Sequence, residues 1–460
     1  FALMPFVRRF RNPLYFYIIV FSFIFYGWWD WRYIGLLLAS GFIDFFAAQG
    51  MQRFPIRKRL FLFLSILGNV GSLGTFKYSL FFATNFDVLL ASFGLETGVA
   101  AHLPAFITVA PVGISFYTFQ SMSYTIDTYR GKLEPTNNIP HFFAYLSMFP
   151  QLVAGPIVRA SDILDDMRTP PETTEPMRWE GTKLIATGYF MKVVLADNLA
   201  QFVNFAFGAP APPTSPLYWW LIMLAFAFQI YYDFAGYSRI ARGLAYWIGY
   251  EFPVNFDHPY VATSLQDFWR RWHITLSSWF RDYVYIPLGG SRRGEVRTYV
   301  NFWIVMLVSG LWHGAAWNFV IWGGVHALFY TVERYTKWPE RVRQFPIIGP
   351  LSVIILTNMI VVIAWVFFRA PETSQAFFIL GAMFGVYGVG VSLLDGVMLD
   401  IVFWVIAAMV FEYVLIRSER IESVEHHVVA RWASAGVMAL MLAGTVFLRG
   451  PQSEFIYFQF

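Results

Sequence analysis

Residues 309–318 read Ser309-Gly310-Leu311-Trp312-His313-Gly314-Ala315-Ala316-Trp317-Asn318, in the middle of a run, 298–332, that contains no Asp, Glu, Lys or Arg. Runs of this kind decide the fold class, because a bilayer-crossing helix needs about 20 mainly apolar residues. Eight further uncharged runs cover 12–29, 60–76, 97–126, 135–158, 198–232, 344–368, 373–394 and 432–448. Weaker candidates are 33–52, interrupted by Asp44, 183–207, interrupted by Lys192 and Asp197, and 397–416. The expectation is an all-α polytopic membrane protein with about eleven transmembrane helices and some shorter elements that do not cross.

Composition supports this. Hydrophobic residues make up 57% of the 460 positions and charged residues 13%, about half the usual share of charge. A soluble chain of this size could not bury so much apolar surface. Aromatic residues reach 20%, more than interface belts require. The net charge of +4, with no basic run away from a membrane flank, sets nucleic-acid binding aside. With no cysteine, disulfides, thiolate nucleophiles and cysteine-based metal sites are excluded. The chain starts at Phe1, which leaves room for another membrane segment ahead of Arg8.

Lys and Arg placement gives an orientation. Arg8, Arg9 and Arg11 precede the first run, and Arg53, Arg57, Lys58 and Arg59 follow the second span. Two spans between two basic clusters put both clusters on the cytoplasmic side, and the link 28–33, with three tryptophans, faces out. Arg292–Arg297 and Arg334–Arg343 are also assigned to the cytoplasm, so 298–332 enters and leaves on one side. A re-entrant hairpin or broken helix is expected there, with Gly310 and Gly314 near its middle. The stretches 159–181 and 208–216 read as loops. There is no internal repeat, which counts modestly against a secondary transporter.

Between 251 and 297, charges and rings interleave. Asp267, Arg270, Arg271, His273, Arg281 and Asp282 fall close together. Ionised groups facing lipid cost roughly 2.5–3.5 kcal/mol each, so this segment lies at an interface or around a polar cavity. Thr263 or Ser264 caps a helix from about 265, on which Trp269, His273 and Ser277 share a face. Pro287 and Gly289-Gly290 end it. An amphipathic surface helix with snorkelling arginines explains the arginines but explains His273 poorly.

His313 sits amid an apolar run, and an ionisable group at such depth is a functional candidate by default. The plainer reading is a neutral histidine satisfied between helices. His326 fits packing or support of the site, His258 reads as a loop residue before Pro259, and His102, His141, His426 and His427 have no convergent context. Asp233 is expected to pair with Arg239, Arg242 or an arginine of 270–281, a structural role being favoured over catalysis. Ser115, Thr118, Ser121 and Thr125 form one stripe, read equally well as a cavity wall or a helix–helix contact. Gly113-Ile114-Ser115 lacks the second glycine of a nucleophile elbow, no His-Glu-x-x-His pattern exists, and no phosphate or dinucleotide loop is present. A histidine base activating a hydroxyl against a thioester is feasible.

The run Asp267-Phe268-Trp269-Arg270-Arg271-Trp272-His273, followed by Ser277-Ser278-Trp279-Phe280-Arg281-Asp282-Tyr283 and Gly310-Leu311-Trp312-His313-Gly314, resembles the membrane-bound O-acyltransferase family. The branch it is most similar to is that of bacterial alginate O-acetylation, including cellulose-acetylation relatives. Pro111–Tyr117, Ala154–Arg159, Tyr232–Ser238 and the ending Phe455–Phe460 add to a likeness that runs almost end to end. The resemblance implies a single membrane domain over 1–460, with N-terminal spans in 12–95, a catalytic core in 97–370 and C-terminal spans in 373–460, around a central channel. It implies His313 as the family's catalytic histidine and His273 as the second important position. Trp272, Trp312, Asp233, Arg271, Arg281, Asn318 and His326 are the expected channel or support residues, with no metal.

By the same resemblance the chain is a multi-pass protein of the bacterial inner membrane with no bound cofactor. It uses acetyl-CoA as acyl donor and works with periplasmic acetyltransferase partners and exopolysaccharide machinery acting on alginate or cellulose. Two alternatives stand beside it: D-alanyl, lipid or protein O-acylation within the family, and a non-catalytic transporter of an acyl donor or polymer.

Overall fold

The computed structural model describes residues 4–7, 9–169, 172–210, 212–388, 396–422 and 428–458. His426, His427, Arg8 and the last two residues of the aromatic ending lie outside the described residues. Among the described residues there is no strand. The principal helices are α1 (Arg11–Asp30), α2 (Arg32–Arg53), α3 (Pro55–Ala91), α4 (Ile114–Tyr129), α5 (Ile139–Leu146), α6 (Glu175–Tyr189), α7 (Asp197–Gly208) and α8 (Pro216–Ile248). There follow α9 (Leu265–Arg271), α10 (Ile274–Phe280), α11 (Glu295–His313), α12 (Trp317–Thr336), α13 (Gly349–Arg369), α14 (Thr373–Met383), α15 (Gly396–Glu422) and α16 (Val428–Phe447). Several are long and apolar enough to cross a membrane: α2, α3, α8, α13 and α15 among the described residues. The protein is a multi-pass membrane protein.

The chain forms two compact units, Phe1–Gly181 with Ala241–Pro253, and Thr182–Ile240 with Val254–Phe460. In the first, α2, α3 and α4 pack together. Asp44, which interrupts an apolar run, is fully buried and satisfied there. It accepts hydrogen bonds from Ser65 Oγ and from Asn69 Nδ2, the latter at 2.8 and 3.0 Å. Ser121 and Thr125 join the same cluster. Within the hydroxyl stripe on α4, Ser121 and Thr125 thus lie in a contact with α2 and α3. Two apolar runs in this unit are not spans. Run 97–126 holds only two short helical turns, Ala100–His102 and Ala105–Thr108, before the helix that starts at Ile114, and 135–158 folds into short helices that are almost entirely buried. Tryptophans 28, 29 and 31 are exposed at the α1–α2 turn, as interface residues should be.

In the second unit, α6 runs through a π-helical stretch, Phe190–Ala196, into α7. The two charges that interrupt this run, Lys192 and Asp197, pair with each other at 2.8 Å. The uncharged 298–332 run becomes two antiparallel helices, α11 and α12, joined by Gly314–Ala316. With 19 and 20 residues, each arm is about 30 Å long. Gly310 and Gly323 allow the close approach of the arms: a Cβ at Gly310 would collide with the Phe319 carbonyl, and one at Gly323 with the Met306 carbonyl.

Candidate active site

The expected helix over 265–286 is capped by Ser264, whose side chain accepts from the Asp267 amide at 3.0 Å. It does not continue through His273. The backbone breaks there, and His273 adopts a left-handed conformation, φ +42°. Trp269, His273 and Ser277 therefore do not share one helical face. The cause is Asn255: its carbonyl accepts from Ile274 N at 2.9 Å, and its side chain accepts from Thr275 N and Oγ1. An extended segment so takes the hydrogen bonds that a continuous helix would have used.

This break and the α11–α12 turn place two histidines around shared aromatic neighbours. His273 is 1% exposed and His313 6%. Trp312 lies 6.0 Å from the His273 ring and 5.0 Å from the His313 ring, centroid to centroid. Tyr457 lies 6.3 and 5.8 Å from the same two rings. Its hydroxyl is 3.4 Å from His313 Nδ1. Phe234 packs edge-on against His273 at 4.7 Å, and Trp322 and Phe368 close the far side of His313. Trp272 is buried among Tyr231, Phe256, Phe268 and Trp365, and supports this wall.

His326 lies one ring away. It packs on Trp269 and Trp322, each at 4.9 Å, and neither of its nitrogens has a hydrogen-bond partner among the described residues. Asn318 ties the start of α12 to the α13–α14 turn, donating to the Ala370 carbonyl at 2.7 Å and accepting from Thr373. The two arginines are placed elsewhere. Arg271 pairs with Asp267 and Asp257 at the edge of α9, and Arg281, 63% exposed, pairs with Asp282. Neither points to the histidines' aromatic wall.

Asp233 is a correction of a different kind. Its partner is none of the expected arginines but Lys192, at 2.8 Å. Lys192 also bonds Asp197 and the Ser453 carbonyl, and Asp233 Oδ2 accepts from Ile456 N at 2.7 Å. Gly450 N donates to the Val193 carbonyl, and Asn198 to that of Leu448. The C-terminal segment 448–458 is thereby pinned along the π-helical stretch, and that pinning carries Tyr457 to His313. Arg239 pairs instead with Glu419 at 2.7 Å.

A family model for MBOAT, the membrane-bound O-acyltransferase family, matches residues 134–370. The chain is 37% identical over 382 residues to the probable alginate O-acetylase AlgI of Pseudomonas putida, covering 82% of this chain and 75% of that protein. It is 36% identical over 411 residues to the peptidoglycan O-acetyltransferase of Helicobacter pylori, covering 82% and 76%. A more distant likeness, 26% over 256 residues, is to the teichoic acid D-alanyltransferase of Bacillus subtilis, covering 53% and 64%. This chain belongs to the membrane-bound O-acyltransferase family. It is an O-acyltransferase, and both histidines fall within the matched region.

Two features of this O-acyltransferase escaped the sequence reading. Lys192 looked like a flaw in a span, although a charge inside an apolar run signals a buried partner. His258 read as a loop residue. It is buried in a left-handed conformation, with Nδ1 2.7 Å from Glu412 and Nε2 2.9 Å from Glu419. Burial alone lowers its basicity, but the two carboxylates outweigh that and raise its pKa to about 9.

Proposed function

We propose that this O-acyltransferase moves an acetyl group from a cytoplasmic thioester, acetyl-CoA, across the bacterial inner membrane for O-acetylation of an exopolysaccharide of the alginate or cellulose type. Periplasmic partner proteins complete the delivery. The observation that carries the reading is the buried pair His313 and His273, both set against Trp312 and Tyr457. Two relatives are named for O-acetylation, of alginate and of peptidoglycan, which favours acetyl over D-alanyl as the group moved.

In this reading His313 is the general base. With Nδ1–H directed at the Tyr457 hydroxyl, Nε2 offers the lone pair. The acceptor O–H proton passes to that nitrogen, the oxygen attacks the thioester carbonyl, the C–S bond breaks, and the thiolate leaves with the proton returned to it. The thioester already carries the activation, so positioning and one base supply the remaining terms. His273 orients a substrate across Trp312. The test is His313→Ala in cells that make the polymer. Polymer acetyl should vanish while the amount of protein in the membrane is unchanged. Normal acetylation by that variant would refute the assignment.

A further inference from the structure

The segment that holds His273 ends in a second left-handed histidine. Residues 255–257 run beside 271–274. The Asn255 carbonyl accepts from Ile274 N at 2.9 Å, and Asp257 N donates to the Arg271 carbonyl at 3.0 Å. These two backbone bonds bracket His273. Directly after them comes His258, with φ +47°. Only three described residues other than glycine have positive φ, and His258 and His273 are two of them. A backbone of this kind persists only where its surroundings over-determine it. A left-handed turn at 258 would be less strained with glycine or asparagine, so the turn alone does not account for an imidazole there.

The contacts of that imidazole do. Nδ1 lies 2.7 Å from Glu412 Oε1 and Nε2 2.9 Å from Glu419 Oε2. Seven residues apart on α15, the two glutamates share one helix face two turns apart, and one ring spans them. A neutral imidazole has a single N–H and would turn a lone pair on one carboxylate, whereas the imidazolium donates to both. The groups of α8 complete the cluster. Arg239 donates to Glu419 Oε1 at 2.7 Å, and the Tyr231 and Tyr232 hydroxyls donate to Glu412 at 3.1 and 3.3 Å. Two cations thus balance two carboxylates, as a buried ionic cluster requires. The neighbours of His258 carry the constraint to the site: Phe256 and Tyr260 pack on Trp272 at 5.0 and 6.3 Å, and Trp272 precedes His273.

We propose that His258 is a positioning residue for acyl transfer: by bridging Glu412 and Glu419 it anchors residues 255–258 to α15, and that segment holds the His273 ring against Trp312. The proposal rests on the part given to His273 in the acetyl-transfer reading, but the anchoring itself can be measured without any transfer. The anchor is also sensitive to alkali. With a pKa of about 9, His258 holds both carboxylates below that pH and releases one of them as pH rises through it. The charged and titratable groups facing the ring from α8 and α15 are the five named above.

The experiment combines hydrogen exchange on the full chain in lipid nanodiscs with polymer acetyl content in cells that make the polymer. His258→Asn accepts the left-handed turn but removes the bridge. It should lower protection of residues 271–275 about tenfold, leave α11 and α12 protected, and lower polymer acetyl at least about tenfold, since a misplacement of about 1 Å can cost 100-fold. His258→Gly should match it, which separates the bridge from the turn. Glu419→Gln, at a side chain 40% exposed, keeps the Glu412 contact and should fall between. Exposed Arg168→Gln should change neither readout. In the unchanged chain, protection of 271–275 corrected for intrinsic rate should drop as pH rises through about 9, and in His258→Asn it should not. Unchanged protection of 271–275 in His258→Asn, or full acetylation by a variant that has lost it, overturns the proposal. If His258→Asn loses protection throughout, Glu419→Gln decides: a loss confined to 271–275 supports positioning, and a general loss or none overturns it. Full acetylation by His273→Ala would instead refute the part given to His273 in the proposed function, while the exchange result still decides whether His258 anchors the segment.

Discussion

Lys192→Met tests whether the C-terminal segment is held by charge. The Nζ atom lies 2.8 Å from both Asp197 Oδ1 and Asp233 Oδ1, and those side chains are only 7% and 2% exposed. Removing one member of a buried ionic cluster costs about 3–5 kcal/mol, because the remaining charges keep their desolvation penalty. Here the lower end applies. Asp197 still accepts from Ser453 Oγ, and Asp233 from Ile456 N. About 3 kcal/mol corresponds to a shift of roughly 100-fold between docked and undocked segment.

Two measurements read this. Hydrogen exchange in detergent should show residues 448–458 losing protection while α11 and α12 keep theirs. Acetyl transfer should fall at least about tenfold, since a misplacement of about 1 Å at the chemistry can cost 100-fold. The double variant Lys192→Met with Asp233→Leu removes the stranded carboxylate. It should recover part of the stability, with a coupling of about 1–3 kcal/mol. If Lys192→Met keeps full protection over 448–458 and full activity, the segment is held by packing alone and the argument fails.

Gly310→Leu should separate α11 from α12, because even its Cβ collides with the Phe319 carbonyl. Folded yield and transfer should both drop, whereas Gly71→Ala, where nothing lies within 4 Å, should raise the melting temperature slightly by helix propensity of about 1 kcal/mol. The His258 clamp should make stability depend on pH. Its folded pKa of about 9 exceeds the ordinary value of 6.5, so the stabilisation is complete below about pH 6.5 and is lost as pH rises through about 9. Discounted for the 40% exposure of Glu419, the effect is about 1–2 kcal/mol. Melting curves between pH 6 and 10 should show it in the unchanged chain and not in His258→Gln.

The class of fold was legible because spanning helices leave long uncharged runs, and α2, α13 and α15 follow theirs closely. The runs 97–126 and 135–158 misled because an apolar stretch looks the same whether it faces lipid or lies under other protein. His313 was legible from its place between two glycines, which proved to be where α11 ends and turns. Tyr457 was not, since its contact lies 144 residues back along the chain. His258 escaped for the same reason, with partners 154 and 161 residues away. The helix through His273 failed on a point no periodicity reveals: two competing hydrogen-bond acceptors on Asn255, its carbonyl and its Oδ1.

Three interruptions of regular backbone meet at the same place, and the membrane setting makes that meeting informative. Inside a bilayer, irregular backbone is tolerated only where protein or an internal cavity surrounds it. The left-handed His273 costs of the order of 1–3 kcal/mol and persists only if its surroundings over-determine it. Asn255 does so with three hydrogen bonds. Helix α11 ends at His313, and the segment 448–458 is held by Lys192, Asp197 and Asp233. Each break has its own separate support, so none is a by-product of another. Their shared product is two histidines that each pack against the same tryptophan and the same tyrosine, an arrangement that a bundle of unbroken helices would present less readily, since each helix fixes its side chains to outward-facing stripes. The polar support around the breaks is therefore better explained by the chemistry of the site than by the stability of the bundle.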